Sequence, residues 1–397
     1  MNRRRFWDYF HRLQDIGRKD NGVFRVAWTD EDMLARRELA EILTYEGFTA
    51  FRDGAGNVWG LWTPKPGQEY LVLGSHLDSV AGGGDFDGVY GVAAALETLL
   101  SLRECQFGGY GNVAIVAFAD EEGVRFNSGL LGSRAITGAL TRQEFMTMAD
   151  ASGNHSLEDA AAAYGVTWES LSAIRPVPIC AYLEIHVEQG PILEERQIPL
   201  GIVNVIAGRS QGYVQFTGRQ NHAGTTPMDK RQDALLAAAQ AVVGLHEAVM
   251  DHECVGTVGD IIADPGSPNV IAGHSAISFD VRAPKDDIRE AVLRRWQASW
   301  AAGAIVQRVD KAAVALDLTI RNILSDAAAR LQIPTMFLNS WAVHDAMILA
   351  QSVPSGLLFI PSAAGVSHAR DEWSSPQDCE IGVMVFEEAA RTILTGT

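Results

Sequence analysis

The chain has 397 residues, a hydrophobic content of 47% and a formal net charge of −17 at pH 7. This length and hydrophobic content are sufficient for two domains with sizeable cores. The negative charge argues against general affinity for nucleic acid or anionic membranes, because both require basic surface. Four scattered cysteines are typical of a reducing compartment, and no run approaches the ~18 apolar residues of a membrane span. We therefore expect a soluble, cytoplasmic protein without a secretory signal.

The N-terminal part of the chain is predicted to be helical and then to form two strands. Residues 6–50 have a helical pattern, in which Thr29 is a suitable N-cap and Gly47 a suitable end for the second half. Turn signals at 53–57 divide the segment 51–62 into a strand pair.

A short apolar strand, Leu71–Leu73, leads into a polar segment that contains His76 and Asp78. Two residues apart in an extended chain, these side chains point to the same side. Three glycines then turn the backbone and lead to Asp87, before a helix predicted over Val89–Leu102. Imidazole and carboxylate groups at the end of a buried strand are what a divalent metal site requires.

Three later apolar strands are followed by metal-binding side chains in the same way. Glu121 and Glu122 follow the strand 113–119, His186 follows 180–185, and His368 follows 356–361. Continuous apolar strands that alternate with helices indicate an α/β fold with a mostly parallel sheet, whose ligands lie beyond the carboxyl ends of the strands. Such groups fit two borderline metals that share a bridging carboxylate, with one carboxylate left as a base.

The pattern changes from about Gly208, which indicates an inserted domain. Two helices alternate there with four strands, over 213–217, 232–250, 257–262, 276–281, 286–300 and 313–318. Two helices on one face of a four-stranded antiparallel sheet give an α+β, ferredoxin-like insert. We therefore predict a catalytic domain over 1–208 and 313–397, with helices on its sheet, and a second domain over 209–312.

These motifs resemble the M20 metallopeptidase superfamily and, within it, the amidase/hydantoinase–carbamoylase branch. That branch contains N-carbamoyl-L-amino acid amidohydrolases, β-ureidopropionases and allantoate amidohydrolases. The resemblance covers nearly the whole chain, and two strings are particular to the branch: His186-Val-Glu-Gln-Gly190 and Asn221-His-Ala-Gly-Thr-Thr-Pro-Met228.

The resemblance implies two divalent ions per subunit, from among Zn, Mn, Co and Ni. Its implied ligands are a bridging Asp87, then His76 and His186 for one ion, and Glu122 and His368 for the other. Glu121 would be the general base and acid, and Asp78 the partner that orients His76.

The resemblance also makes the insert a lid and dimerisation domain of a homodimer. Arg282 would bind the α-carboxylate of a small ureido substrate, which Asn269 would help to place. His222 would contact the carbonyl or oxyanion, in relatives from the partner subunit, and Gln189 would lie close to the substrate.

Two departures from the family concern the substrate. Allantoate enzymes have an arginine where this chain has Gln211, so a second strong contact for an anion is missing. Relatives read Ser-Gly-Ala-Gly-His-Asp-Ala where this chain has Ser340-Trp-Ala-Val-His-Asp-Ala346, so Trp341 and Val343 add bulk to a turn that usually lacks side chains.

We predict a metal-dependent hydrolase that converts an N-carbamoyl-L-amino acid to the amino acid, CO2 and ammonia. The alternatives are allantoate or ureidoglycolate amidohydrolase and β-ureidopropionase, followed by a linear-amide deacylase or dipeptidase. An alternative of another class is a non-catalytic metal-binding scaffold, against which Glu121 argues, because a scaffold needs no base.

Overall fold

The computed structural model describes residues 1–126, 129–150, 152–174, 177–300 and 303–396. The chain divides into two compact units. The larger unit contains Met1–Asn204, Leu316–Leu338 and His344–Thr397, and the inserted unit contains Val205–Ala315 and Asn339–Val343. The sequence prediction placed residues 339–343 in the catalytic domain, whereas the structure groups them with the insert.

The predicted helical region 6–50 consists of two helices, Arg3–Gln14 and Asp30–Tyr45, with a short strand pair, Arg18–Lys19 and Gly22–Val23, between them. The predicted N-cap is confirmed, because the side chain of Thr29 accepts the backbone N–H of Asp32. The other helices described in the larger unit are Val89–Glu104, Leu131–Thr137, Arg142–Thr147, Leu157–Ala162, Trp168–Ser172, Ile192–Arg196, Leu318–Arg330, Asp345–Leu349 and Pro376–Thr395. None of the described helices is long and apolar enough to cross a membrane.

The main sheet is mixed, with four parallel strands at its centre. In the described chain their spatial order is Ser355–Ile360, Ile179–Val187, Tyr70–His76 and Asn112–Phe118. Antiparallel pairs flank this centre: Thr49–Arg52 and Val58–Trp62 lie at one side, and Leu200–Ile206 and Val314–Ala315 at the other. Thr335–Ser340 also pairs with Leu200–Ile206. The prediction of a mostly parallel sheet therefore holds for the centre alone.

The central strands are buried because helices cover them. Every residue of Tyr70–His76 and Asn112–Phe118 is buried, and Val89–Glu104 and Pro376–Thr395 pack against the sheet through apolar side chains. Parallel strands end at the same edge of a sheet, so the residues that follow the four central strands are brought to one edge.

The inserted unit is an α+β structure. Its described helices are Ala234–Val249 and Asp286–Ala298, and its main sheet has the order Val255–Thr257, His274–Ala283, Gly208–Thr217 and Gly303–Lys311. Ile261–Asp264 also pairs with His274–Ala283, and a separate pair joins Asn221–His222 to Val270–Ile271.

Two strand predictions for the insert were wrong. The strand expected at 257–262 is interrupted at 258–260. The segment 313–318 contributes only the short strand Val314–Ala315, which pairs with Leu200–Ile206, and the remaining strand of the insert's main sheet is Gly303–Lys311. The latter strand contains Gln307, Arg308 and Asp310 and is largely exposed, because it lies at the edge of the sheet. An edge strand needs no continuous apolar run, so the sequence lacks the signal on which the prediction relied.

Candidate metal centre

The ends of the four central strands bring potential metal ligands together. His76, Asp87 and His186 form one group, and Asp87, Glu122 and His368 form a second. Within each group, one ligand atom per residue lies within 4.8 Å of the others. Asp87 belongs to both groups, as a bridging carboxylate would.

The carboxylate of Asp87 has one oxygen towards each group. Its Oδ1 lies 3.1 Å from Nε2 of His186 and 3.5 Å from Nε2 of His76, and its Oδ2 lies 3.1 Å from Nε2 of His368. Burial opposes the charged carboxylate, but the three histidines outweigh it and hold the pKa of Asp87 well below its ordinary value. The cluster therefore favours the anionic form of Asp87 at its centre.

Backbone carbonyls orient two of the imidazole rings. Nδ1 of His76 lies 2.9 Å from the carbonyl oxygen of Asp78, and Nδ1 of His186 lies 3.0 Å from that of Val187. Since a carbonyl only accepts, each Nδ1 carries the proton, so the lone pair of the neutral ring is on Nε2, the atom beside Asp87. Nε2 of His186 also accepts the N–H of Gly88 at 3.3 Å. A cation between these atoms satisfies both the nitrogen lone pairs and the carboxylate.

The side chain of Asp78 has a different contact from the one predicted. Its carboxylate lies 3.9 Å from Nδ1 of His76, so the ring is oriented by the carbonyl of this residue. Oδ1 and Oδ2 accept the backbone N–H groups of Glu121 at 3.2 Å and Glu122 at 3.1 Å. Asp78 therefore holds the turn that carries both glutamates.

Glu121 and Glu122 each present a buried carboxylate oxygen, Oε1, that has no hydrogen-bond partner among the described residues. Oε2 of Glu121 lies 3.9 Å from Nε2 of His76, and Oε2 of Glu122 lies 3.5 Å from Nε2 of His368. Burial raises the pKa of Glu121 well above its ordinary value and that of Glu122 to about 8, with neighbouring carboxylates adding to the effect. Leaving a buried acceptor unpaired costs ~1–3 kcal/mol, so these oxygens require a cation or a donor.

The donor set therefore fits two divalent cations. Mixed imidazole and carboxylate ligands suit borderline first-row metals. Burial opposes the charged form of His76, yet Glu121 and Asp87 raise its pKa well above the ordinary value, which shows how strongly this edge favours positive charge.

Gln189 lies at the second ligand group. Its Nε2 donates to Oδ2 of Asp87 at 3.1 Å and lies 3.4 Å from Nε2 of His368. Its backbone is in the left-handed region, with φ of 59°, and its N–H donates to Oγ of Ser362 at 3.0 Å. The structure thus brings this predicted substrate residue to the ligands themselves.

The sequence analysis missed two residues beside the centre. Oε1 of Glu372 accepts the N–H groups of Phe86 and Asp87 at 2.9 and 3.0 Å, while its Oε2 accepts Oγ–H of Ser367 at 2.6 Å. Glu372 therefore joins the loop of Asp87 to the loop of His368. The sequence signal that could have identified Glu372 was its position four residues after His368.

The second missed residue is His344, whose ring centroid lies 4.7 Å from that of His186. Burial, together with the charge of His186, holds the pKa of His344 well below its ordinary value, so this ring is neutral. It belongs to the string Ser340-Trp-Ala-Val-His-Asp-Ala346, and a histidine beside an aspartate there was the available signal.

In the inserted unit, Gln211 and Arg282 meet at Asp280. Gln211 is directly opposite Asp280 in the sheet, and its Nε2 donates to Oδ2 of that residue at 2.6 Å. Nε and Nη2 of Arg282 donate to the same carboxylate at 2.9 and 3.0 Å, and Nη1 donates to the carbonyl of Trp341 at 2.6 Å. Three of the five guanidinium N–H groups are thus used, which leaves two without a partner among the described residues.

His222 and Asn269 are brought together by the separate strand pair of the inserted unit. His222 pairs with Val270, and the N–H of Ala223 donates to the carbonyl of Asn269 at 2.9 Å. Nδ1 of His222 accepts backbone N–H groups from Gly224 at 3.0 Å and Thr225 at 3.2 Å. Since Nδ1 accepts, the neutral ring carries its proton on Nε2, which makes an exposed hydrogen-bond donor.

Comparisons with known proteins agree with the motif strings. The model of peptidase family M20/M25/M40 matches residues 72–392. An N-carbamoyl-L-amino acid amidohydrolase of Geobacillus stearothermophilus is 35% identical over 96% of both chains. A ureidoglycolate hydrolase of Arabidopsis thaliana is 33% identical over 92% of this chain and 80% of its own.

Solved structures agree as well. An amidase of the hydantoinase/carbamoylase family from Burkholderia multivorans matches with a TM-score of 0.87 and 31% identity, over 99% of this chain and 98% of its own. The extent of these matches confirms the resemblance inferred from the motifs. The chain therefore belongs to peptidase family M20/M25/M40 and, within it, to the amidase/hydantoinase–carbamoylase branch of hydrolases.

Proposed function

We propose that this protein is a dinuclear metal-dependent amidohydrolase that hydrolyses the carbamoyl C–N bond of an N-carbamoyl-L-amino acid. The products are the amino acid, CO2 and ammonia. The observation that carries the proposal is a pair of ligand groups that share Asp87, with a further buried carboxylate, Glu121, outside both.

His76, Asp87 and His186 would hold one ion, and Asp87, Glu122 and His368 the other. When bound, such ions polarise a carbonyl and lower the pKa of a water molecule.

The catalytic base is assigned by elimination. Both oxygens of Asp78 accept backbone N–H groups, and both oxygens of Asp87 face ligand groups. Glu121 and Glu122 each keep one oxygen without a partner among the described residues, but Glu122 belongs to a ligand group and Glu121 does not. Glu121 therefore takes the proton of the attacking water and passes it to the leaving nitrogen.

The inserted unit supplies substrate contacts in this proposal. The two unused N–H groups of Arg282 match the two oxygens of a carboxylate, and Asn269 helps to place it. The Nε2–H of His222 donates to the carbonyl or to the oxyanion that forms from it. By family resemblance, His222 serves the other subunit of a homodimer, and Gln189 lies beside the substrate.

The function is tested by ammonia release from purified protein loaded with Zn, Mn, Co or Ni. Substrates are a panel of N-carbamoyl-L-amino acids, N-carbamoyl-β-alanine, allantoate and ureidoglycolate. We expect the N-carbamoyl-α-amino acids to have the highest kcat/KM, because Gln211 offers a neutral amide, already bonded to Asp280, where an arginine would hold a second anionic group. A higher kcat/KM for allantoate or ureidoglycolate would assign the protein to those relatives instead.

Arg282→Lys is expected to lower kcat/KM for a carboxylated substrate at least about tenfold, because lysine keeps the charge but loses the paired donors. The matched control is Arg308→Lys in the same sheet, where the arginine also pairs with an aspartate two residues away, Asp310. We expect the control to stay within about twofold of the wild type. Equal losses in the two variants would remove Arg282 from the substrate site.

A further inference from the structure

The turn that carries the two glutamates is held from behind by a buried cluster of polar side chains. We call it the Arg36 cluster, and its members are Trp28, Asp32, Arg36, Asp78 and Asp120. The side chains of Asp32, Arg36 and Asp78 are at most 2% exposed. No role described above for the site includes Arg36.

Arg36 is the cation of this cluster and contacts both carboxylates beside it. Its Nε lies 2.8 Å from Oδ1 of Asp32, and its Nη2 lies 3.6 Å from Oδ1 of Asp78. Its Nη1 donates to the carbonyl of Phe118, at 3.1 Å, where the central strand ends just before the turn. Arg36 therefore contacts both the carboxylate that holds the turn and the strand that leads into it.

The rest of the cluster closes around the same turn. The backbone N–H of Trp28 donates to Oδ2 of Asp32 at 3.1 Å, and its indole N–H donates to Oδ2 of Asp120 at 2.9 Å. Trp28 and Asp120 both have positive φ, of 62° and 52°. A non-glycine residue pays an energetic cost in that conformation, so surrounding contacts must hold it there.

We propose that Arg36 is a positioning residue for Glu121 and Glu122, and that it acts through Asp78. The carboxylate of Asp78 accepts the N–H groups of both glutamates and is completely buried, so it requires a neighbouring positive charge. Arg36 supplies that charge and also contacts Phe118. Loss of this arrangement moves the turn, and with it one metal ligand and the proposed base.

The first test is Arg36→Lys, which keeps the charge but cannot reach Asp32, Asp78 and Phe118 together. The matched control is Arg5→Lys in the same unit, where the arginine likewise bridges two carboxylates, Glu97 and Glu104. We would measure kcat and KM, the affinity for each metal ion by chelator competition, and the Tm of the metal-free protein.

In Arg36→Lys we expect kcat to fall at least about tenfold with KM within about twofold, and the affinity for one of the two ions to fall at least about tenfold. In Arg5→Lys, kcat and both metal affinities should remain within about twofold of the wild type, whatever happens to Tm. If Arg36→Lys lowers only Tm, as a structural ion pair would, the proposal is overturned. The metal affinities are measured without substrate, so they test the role of Arg36 even if the proposed substrate is wrong.

A charge-balanced variant covers the case in which Arg36→Lys does not fold. The double substitution Arg36→Gln with Asp32→Asn removes one positive and one negative charge, and still takes away the guanidinium that lies 3.6 Å from Asp78. It should show the same loss of kcat and of metal affinity, and wild-type values in the folded double variant would contradict the proposal.

The route through Asp78 is tested by a double-mutant cycle. If Arg36 acts through Asp78, then Arg36→Lys with Asp78→Asn should lose little more kcat than the more damaging single variant. If the fold-loss in kcat of the double variant equals the product of the two single fold-losses, Arg36 acts independently of Asp78.

Discussion

Glu121→Gln is expected to lower kcat by ~10²–10⁴ while both metal ions remain bound. The substitution keeps the size of the side chain but removes the group that accepts and returns a proton. Glu121 lies in neither ligand group, so its loss should leave metal binding intact. Single-turnover kinetics and metal analysis of the same preparation measure both quantities.

The matched control is the neighbouring Glu122→Gln. It removes a ligand of the second group, 3.5 Å from His368, and should therefore release one ion as well as activity. If the Glu121 variant loses metal and the Glu122 variant keeps it, the two roles have been assigned the wrong way round.

Removal of the metal ions by a chelator should abolish activity, and the addition of Zn, Mn, Co or Ni should restore it. Without cations, the buried carboxylates of Asp87, Glu121 and Glu122 face one another, and only the histidines remain to balance their charge. We expect two ions per subunit in the active form, by elemental analysis. We also expect a lower Tm for the metal-free protein, because a ligand bound only to the folded state stabilises it.

The specificity of the metal effect has its own control. Ca²⁺, which prefers all-oxygen ligands, should restore little activity to the imidazole-containing groups. Full activity of a protein shown to be metal-free would contradict the dinuclear mechanism as a whole.

Much of the centre could be predicted from the sequence, because its ligands follow strong local signals. Leu71–Leu73 and the other three central strands are continuous apolar runs, and each is followed by an imidazole or a carboxylate. Parallel strands bring their carboxyl ends to one edge, so a one-dimensional pattern predicts a three-dimensional cluster. The structure does bring the five proposed ligands together.

The supporting contacts could not be predicted in this way. Glu372 bonds to the N–H of Asp87 from 285 residues away, and Arg36 approaches Asp78 from the helix Asp30–Tyr45. Single polar residues with long-range partners have no periodicity, so the sequence contains no pattern that indicates Arg36 and, for Glu372, only its position near His368.

By itself, the sequence determined the family, the four central strands and the residues available as ligands, because apolar runs and motif strings are local properties of the chain. Only the tertiary structure decided that the carbonyl of Asp78 orients His76 while its carboxylate holds Glu121 and Glu122. Each of these contacts joins a side chain to a backbone atom, and the position of that backbone atom depends on how the chain folds. The same holds for the pairing of Arg282 with the carbonyl of Trp341, a contact that any residue at that position could make.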